Sequence, residues 1–349
     1  MKTRRWVGLA GLLLIAGCAT ASASSGPATR VIIDADPGTD DALAILLALN
    51  SPELSVEAVT VVAGNVTEPQ GLENALKLVS LAGRPDVPVA AGARKPLAQA
   101  LVTAESHGSD GLGNVGLAPA RCRPDSRFGP DLVVELVHKY PHEVTLVTLG
   151  PLTNIALALS RDPSIAGLVK EVVLMGGAIS GGNVDAVAEF NVYVDPEAAQ
   201  VVFQGGWPLT MVGLEIGRKA LFAREHLAEL RKAHGPQSDF AAGVLEYRVG
   251  LGERDGLAGA TLYDPTAMAA VIDRTLITTQ LLHVDVELRG ELTRAETVAN
   301  RQNAHNRKVP RGDHFVFAGT EPLQPNVHVA TDIDAERFAR LLISRISGR

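Results

Sequence analysis

The stretch Val31-Ile32-Ile33-Asp34-Ala35-Asp36-Pro37-Gly38-Thr39-Asp40-Asp41-Ala42 decides the fold of this 349-residue chain. Three β-branched residues in a row favour a strand. Pro37 and Gly38 then break it with a sharp turn. Ala42 to Leu49 has the apolar density of a buried helix. Thr39 is expected as its N-cap, with Asp40 and Asp41 in the favoured first turn. The same strand–turn–helix pattern recurs downstream. Val56 to Val62 reads as a strand ending at Ala63-Gly64-Asn65, with a helix over Leu72 to Leu81. Glu143 to Thr148 ends at Leu149-Gly150-Pro151, before a helix carrying Asn154 to Leu159. Val172 to Met175 ends at Gly176-Gly177, and Leu209 to Leu214 ends near Glu215. Alternating β and α elements imply an α/β fold: an open, mostly parallel Rossmann-like sheet with helices on both faces. Residues 283–298 alternate apolar and polar around Arg289-Gly290, as a small antiparallel hairpin would. Arg301 to Gly312 reads as a loop, and Asp334 to Ile346 as an amphipathic helix.

A formal charge of −7 and only 4 % aromatic residues argue against a nucleic-acid partner, which needs basic patches or stacking platforms. Lys2, Arg4 and Arg5 precede an apolar run, Val7 to Ala16, too short to span a bilayer as a mature helix. Ile15-Ala16-Gly17-Cys18 follows, so residues 1–17 read as a lipoprotein-type signal peptide, with Cys18 acylated and exported. The competing reading is an ordinary secretory signal cut after Ala21 or Ala23. Both send the chain out of the cytoplasm, the first as a periplasmic protein that touches the membrane only through Cys18. Residues 18–29 read as a flexible tether, and 30–349 as a single domain. Cys122, between Arg121 and Arg123, has no patterned His partner and reads as a structural or incidental thiol.

Asp34, Asp36, Asp40 and Asp41 fall within eight residues. Carboxylates this close repel one another unless a cation compensates. Oxygen ligands without neighbouring Cys or His suit a hard cation, Ca²⁺ or Mg²⁺. A solvated, helix-capping turn would explain Asp40 and Asp41, but not two acids at the end of an apolar strand.

The motifs occur in a distinctive order. Asp34-x-Asp36-Pro37-Gly38-x-Asp40-Asp41-Ala42 is followed by Ala63-Gly64-Asn65-Val66 and by Ser106-His107-Gly108-Ser109-Asp110-Gly111-Leu112-Gly113. Next come Gly150-Pro151-Leu152-Thr153-Asn154, Gly182-Asn183-Val184, Ala188-Glu189-Phe190-Asn191, Val194-Asp195-Pro196-Glu197 and Tyr263-Asp264-Pro265. Together they resemble the inosine–uridine preferring nucleoside hydrolase family over residues 30–345. The resemblance implies a Ca²⁺-dependent N-ribohydrolase that splits a small-molecule ribonucleoside into base and ribose, as in nucleoside salvage. It implies a Ca²⁺ ion held by Asp36, Asp41, the main-chain carbonyl of Leu149 and Asp264. Asp36 would be the general base. Asp40, Asn65, Asn183, Glu189 and Asn191 would bind sugar hydroxyls. His107 and Tyr263 would lie near the nucleobase, and Asp34 would support the loop. It also implies a homo-oligomer, dimer or tetramer.

Two departures from the family pattern stand out. Tyr263 occupies the position where many relatives carry a His able to protonate the leaving base, and a phenol with a pKa of about 10 is a poorer acid. Glu215-Ile216-Gly217-Arg218 stands where relatives often have Asp-Val-Thr-His, shaping either the pocket rim or an interface. Two alternatives belong to other classes. One is an exported calcium-dependent nucleoside-binding protein without turnover. The other is a haloacid-dehalogenase-type phosphatase, whose Asp-x-Asp motif Pro37 spoils.

Overall fold

The computed structural model describes residues 27–300 and 323–348. The signal peptide, Cys18, most of the tether and the loop expected over Arg301 to Gly312 lie outside them. The strands are β1 (Thr29–Ala35), β2 (Leu54–Val61), β3 (Val89–Ala91), β4 (Val144–Thr148), β5 (Glu171–Met175), β6 (Leu209–Val212), β7 (Ile277–Val286), β8 (Thr297–Asn300) and β9 (Val327–Ile333). Among the described residues they form one sheet in the order β3-β2-β1-β4-β5-β6-β9-β7-β8. From β3 to β9 all neighbours pair in parallel. β7 pairs antiparallel with both β9 and β8. The expected hairpin is therefore longer than its alternation suggested, and it is the edge of the main sheet rather than an appendage.

Side-chain alternation divides the core between the two faces. Val31, Ile33 and Ala35 point to one apolar cluster, with the helices Thr39–Leu49, Glu68–Leu81, Tyr263–Ile272 and Ala335–Ser347. Ile32 points to the other, with Gly129–Lys139, Thr153–Arg161 and Pro196–Phe203. β5 divides likewise, Val173 and Met175 against Val172 and Leu174. Every residue of Thr39–Leu49 is buried, which explains an apolar density without an amphipathic stripe. It packs against Tyr263–Ile272, where buried Ala267, Ala269 and Ala270 allow close approach.

The sheet grows outward from β1 in both directions, toward β2 and β3 on one side and toward β4, β5 and β6 on the other. The loops after β1 and β4 thus part at the switch point, where an open parallel sheet leaves a crevice for ligands.

Among the boundaries that differ from the sequence reading, three have a clear local cause. β1 begins at Thr29, inside the expected tether, because its N–H already bonds Glu53 O at 2.8 Å. Gly38, not Thr39, is the N-cap, since the Asp41 side chain accepts the Gly38 N–H at 3.0 Å and helical geometry starts at Thr39. The strand expected over Leu209 to Leu214 stops at Val212, because Gly213 caps a new helix, Leu214–Lys219.

Leu46 is fully buried in the first helix. Leu46→Ala is expected to cost about 3 kcal/mol, read as a lower urea midpoint at unchanged slope.

Candidate active site

Asp34 and Asp36 find different partners because Asp34 lies within β1 and Asp36 follows its last residue, Ala35. Asp34 accepts from Thr60 Oγ1 at 2.5 Å and Asn154 Nδ2 at 2.7 Å. Burial pushes its carboxyl up to about 7. It ties β1 to β2 and to the helix after β4, a supporting place away from the pocket. Asp36 emerges beyond the strand, fully buried, and the Asn65 N–H donates to its Oδ2 at 2.5 Å. Its Oδ1 is buried and accepts no hydrogen bond among the described residues. Gly64 and Gly150, in the turns after β2 and β4, make room for this carboxylate. A Cβ on Gly64 would collide with Asp36 Oδ2, and one on Gly150 would lie 2.6 Å from Oδ1.

Asp41 closes the turn from the first turn of its helix. Its Oδ2 accepts from the Gly38 N–H and from Asn65 Nδ2, both at 3.0 Å, and its Oδ1 accepts from the Asp36 N–H at 3.3 Å. Asp264 enters from the first turn of Tyr263–Ile272, so both acids sit at the electropositive ends of packed helices. Carboxylate oxygens of Asp40, Asp41 and Asp264 lie within 4.8 Å of one another. Burial, then repulsion from Asp41, raises Asp36 well above the usual carboxylate range, and the same two causes raise Asp264. Burial, then the Asp40 charge, lifts Asp41 to about 6.

This donor set fits a divalent cation. It is all oxygen, its charges are unbalanced, and one buried oxygen lacks a donor. The closest trio contains Asp40, whereas Asp36 meets it through Asp41. Leu149 lines the pocket, and its carbonyl accepts Asn191 Nδ2 at 2.7 Å.

The facing wall is built by the helix Phe190–Val194. Glu189 caps it, taking the N–H groups of Asn191 (3.0 Å), Val192 (3.2 Å) and Gly177 (2.9 Å). Burial raises Glu189 to about 7. Asn183 accepts the Phe190 N–H at 3.0 Å. The pocket thus gathers Asp40, Asn65, His107, Asn183, Glu189, Asn191, Leu149, Tyr263 and Asp264, while Asp36 and Asp41 are buried beneath it. Thr39, freed from capping, contacts His107 Nδ1 through its hydroxyl at 2.9 Å and its N–H at 3.0 Å. A backbone N–H can only donate, so Nδ1 accepts and any ring proton is on Nε2. Burial lowers His107 to about 4. His138, His142 and His234 are exposed, whereas half-buried His226 accepts the Ala223 N–H at 3.1 Å and helps start its helix.

The Glu215–Arg218 segment shapes the pocket rim. Glu215 Oε1 accepts from the N–H groups of Ile179 and Ser180, both at 2.7 Å, and from Ser180 Oγ at 2.8 Å. Arg218 donates to the carbonyls of Gly181 (3.3 Å) and Gly182 (2.7 Å). The two side chains therefore hold the loop that delivers Asn183. Gly217 lies flat against the Tyr263 ring, where any Cβ would collide.

Sequence reasoning missed Arg248, which reaches the pocket from the long helix Pro236–Arg254 with its side chain 10 % exposed. The one available signal was an Arg flanked by apolar Tyr247 and Val249.

A carboxylate-lined pocket at the switch point of a parallel sheet is the arrangement of an α/β enzyme that takes a small molecule. Residues 31–340 match the inosine-uridine preferring nucleoside hydrolase family. A pyrimidine-specific ribonucleoside hydrolase RihA from Citrobacter koseri is 39 % identical, covering 92 % of this chain and 98 % of that protein. The plant nucleoside hydrolase PpNRh1 superposes with a TM-score of 0.83 at 37 % identity, over 93 % of this chain and 100 % of the other. A purine-preferring ribonucleoside hydrolase from Gardnerella vaginalis gives 0.82 at 32 % identity, over 91 % and 98 %. The chain belongs to the inosine-uridine preferring nucleoside hydrolase family, and it is a glycosidase rather than a phosphatase.

Filling the acidic cluster should stabilise the fold. A divalent cation at a hundredfold its dissociation constant is expected to add about 2.7 kcal/mol, seen as a rise in Tm that a chelator reverses. An unchanged Tm would mean that protons, not a cation, neutralise these acids.

Proposed function

We propose that this chain hydrolyses the N-glycosidic bond of pyrimidine ribonucleosides to free base and ribose, with Asp36 as general base. The observation that carries the reading is the buried Asp36 carboxylate, one oxygen without a protein donor, beneath a pocket walled by Asp40, Asn183, Glu189 and Asn191. Asp36, Asp41, the Leu149 carbonyl and Asp264 would hold Ca²⁺, and Asp40 stands close enough to Asp41 and Asp264 to share in the site. When bound, that ion supplies a polarised, more acidic water.

The chain's own residues divide the remaining work. Asp36 takes the proton from the water that attacks C1′. Glu189 is fixed by three backbone N–H groups, so its carboxylate is preorganised for the positive charge that develops on the sugar. Asp40, Asn65, Asn183 and Asn191 hydrogen-bond the ribose hydroxyls, while His107 and Tyr263 flank the base. The pyrimidine preference draws on the name of the Citrobacter relative and on Tyr263, whose phenol protonates a departing purine poorly. The proposal includes export with Cys18 acylated, supported by the basic and apolar N-terminal pattern, and assembly as a dimer or tetramer.

The test is release of free ribose from uridine, cytidine, inosine and adenosine, each with and without a chelator. Uridine and cytidine are expected to exceed the purines by about tenfold or more, and chelation to stop all four. Asp36→Asn is expected to lower kcat by about a thousandfold or more at unchanged folding. Ribonucleoside binding without ribose release would sink this reading in favour of a binding protein.

A further inference from the structure

The acids that favour an oxocarbenium-like sugar work against the other half of the reaction. When the C1′–N bond breaks, its electron pair goes to the base, and a negative charge grows beside Asp36, Asp40, Asp41, Asp264 and Glu189. Something at the base end must receive it. His107 has Nδ1 committed to Thr39, and Tyr263 is a phenol. Arg248 is the sole Arg or Lys among the residues that line the pocket.

Its setting is that of a group awaiting a ligand. The side chain is 10 % exposed, yet the nearest carboxylate, Asp40 Oδ2, is 3.8 Å from Nη2, too far for a hydrogen bond. Among the described residues its one hydrogen bond runs from Nη2 to Thr261 O at 2.9 Å. A guanidinium carries five N–H donors, and a buried charge so sparsely bonded is costly unless something completes it. Helix Pro236–Arg254 spends that cost at the pocket wall, next to Asp40 and near His107.

We propose that Arg248 is a catalytic residue that receives the leaving base, donating N–H groups to the carbonyl oxygen beside the departing ring nitrogen of a pyrimidine. This rests on the hydrolase reading above and deepens it. As C1′–N1 breaks, the electron pair goes to N1 and spreads onto O2, where the guanidinium binds it. The water oxygen bonds to C1′, and its proton passes to Asp36. The base anion takes a proton from solvent after departure, and Asp36 returns its own. Arg248 stays protonated throughout. A purine has no oxygen on either carbon flanking N9, so the same group gives it little help. Arg248 therefore sets specificity as well as rate.

The experiment compares uridine with 4-nitrophenyl β-D-ribofuranoside, whose nitrophenoxide departs unaided, in the full chain and in Arg248→Gln and Arg248→Lys. Arg248→Gln is expected to lower kcat on uridine by about a hundredfold or more, as loss of a transition-state donor does. On the nitrophenyl riboside it should stay within about threefold of the parent enzyme. Arg248→Lys keeps the charge but not the planar fork, and it should lose an intermediate amount on uridine only. If the Gln variant fails to fold, the Lys variant carries the same comparison. Equal losses on both substrates would overturn the assignment and leave Arg248 as a prop for Asp40 and the Thr261 carbonyl. Cleavage of neither substrate by the parent enzyme would overturn the hydrolase reading itself, and this assignment with it.

Discussion

Carboxylates forced together out of water are the constraint on which the rest of this molecule depends. Asp36, Asp41 and Asp264 are each almost wholly buried, burial raises the pKa of all three, and the Asp41 charge raises Asp36 and Asp264 further. No hydrophobic gain explains placing them there, because burying a charge is costly unless it is paired or coordinated. The surrounding architecture reads as a response to that cost. Two helices direct their N-terminal ends at the cluster. Asn65 supplies one backbone and one side-chain donor. Gly64 and Gly150 clear the space beside Asp36. These elements come from four separate segments, so only the folded α/β sheet brings them together.

The sheet also explains why the site has two unlike walls. One consists of turns that follow β1, β2 and β4, the strands on either side of the switch point, and it is rigid because the turns are short and anchored on parallel neighbours. The other is the short helix Phe190–Val194 and the loop before it, which lie outside the strands and meet them at Met175 and Thr297. Side chains add much of its order. Glu189 gathers three N–H groups, Asn183 accepts a fourth, and Glu215 with Arg218 secures residues 179–182. Polar residues that the family resemblance marked for sugar contacts are thus also the scaffold of the wall that carries them. Substituting one would disturb position and chemistry at once.

Much of this was legible in the sequence, for reasons that separate what was read from what was not. β1, β2, β4 and β5 were read to within two residues because they are mostly buried and rich in β-branched residues. The β7–β8 hairpin was read because one face meets solvent and alternation survives. β3 has only three residues, too few for a periodic signal. The helix Pro236–Arg254 escaped notice because Gly243, Gly250 and Gly252 dilute its pattern and its buried face includes small residues. Arg248 escaped with it. The motif residues that converge on the pocket were found by their order along the chain, and spacing could not have shown that Thr39 would leave its capping place to hold His107.

The two departures from the family pattern, at 215–218 and at 263, are far apart in sequence and in contact in space. Where relatives often carry Thr, this chain has Gly217, and where many carry His, it has Tyr263. The Tyr263 ring lies so close to the Gly217 Cα that even a methyl group there would collide with it. A β-branched Thr at 217 would therefore exclude the tyrosine in this position, and the glycine admits it. Glu215 and Arg218 on the same short helix hold the opposing loop, so the segment shapes the pocket twice, by yielding to the ring and by fixing the rim. The departures are then one change in packing rather than two. It is in this pocket that we propose Arg248 meets the charge on the departing base.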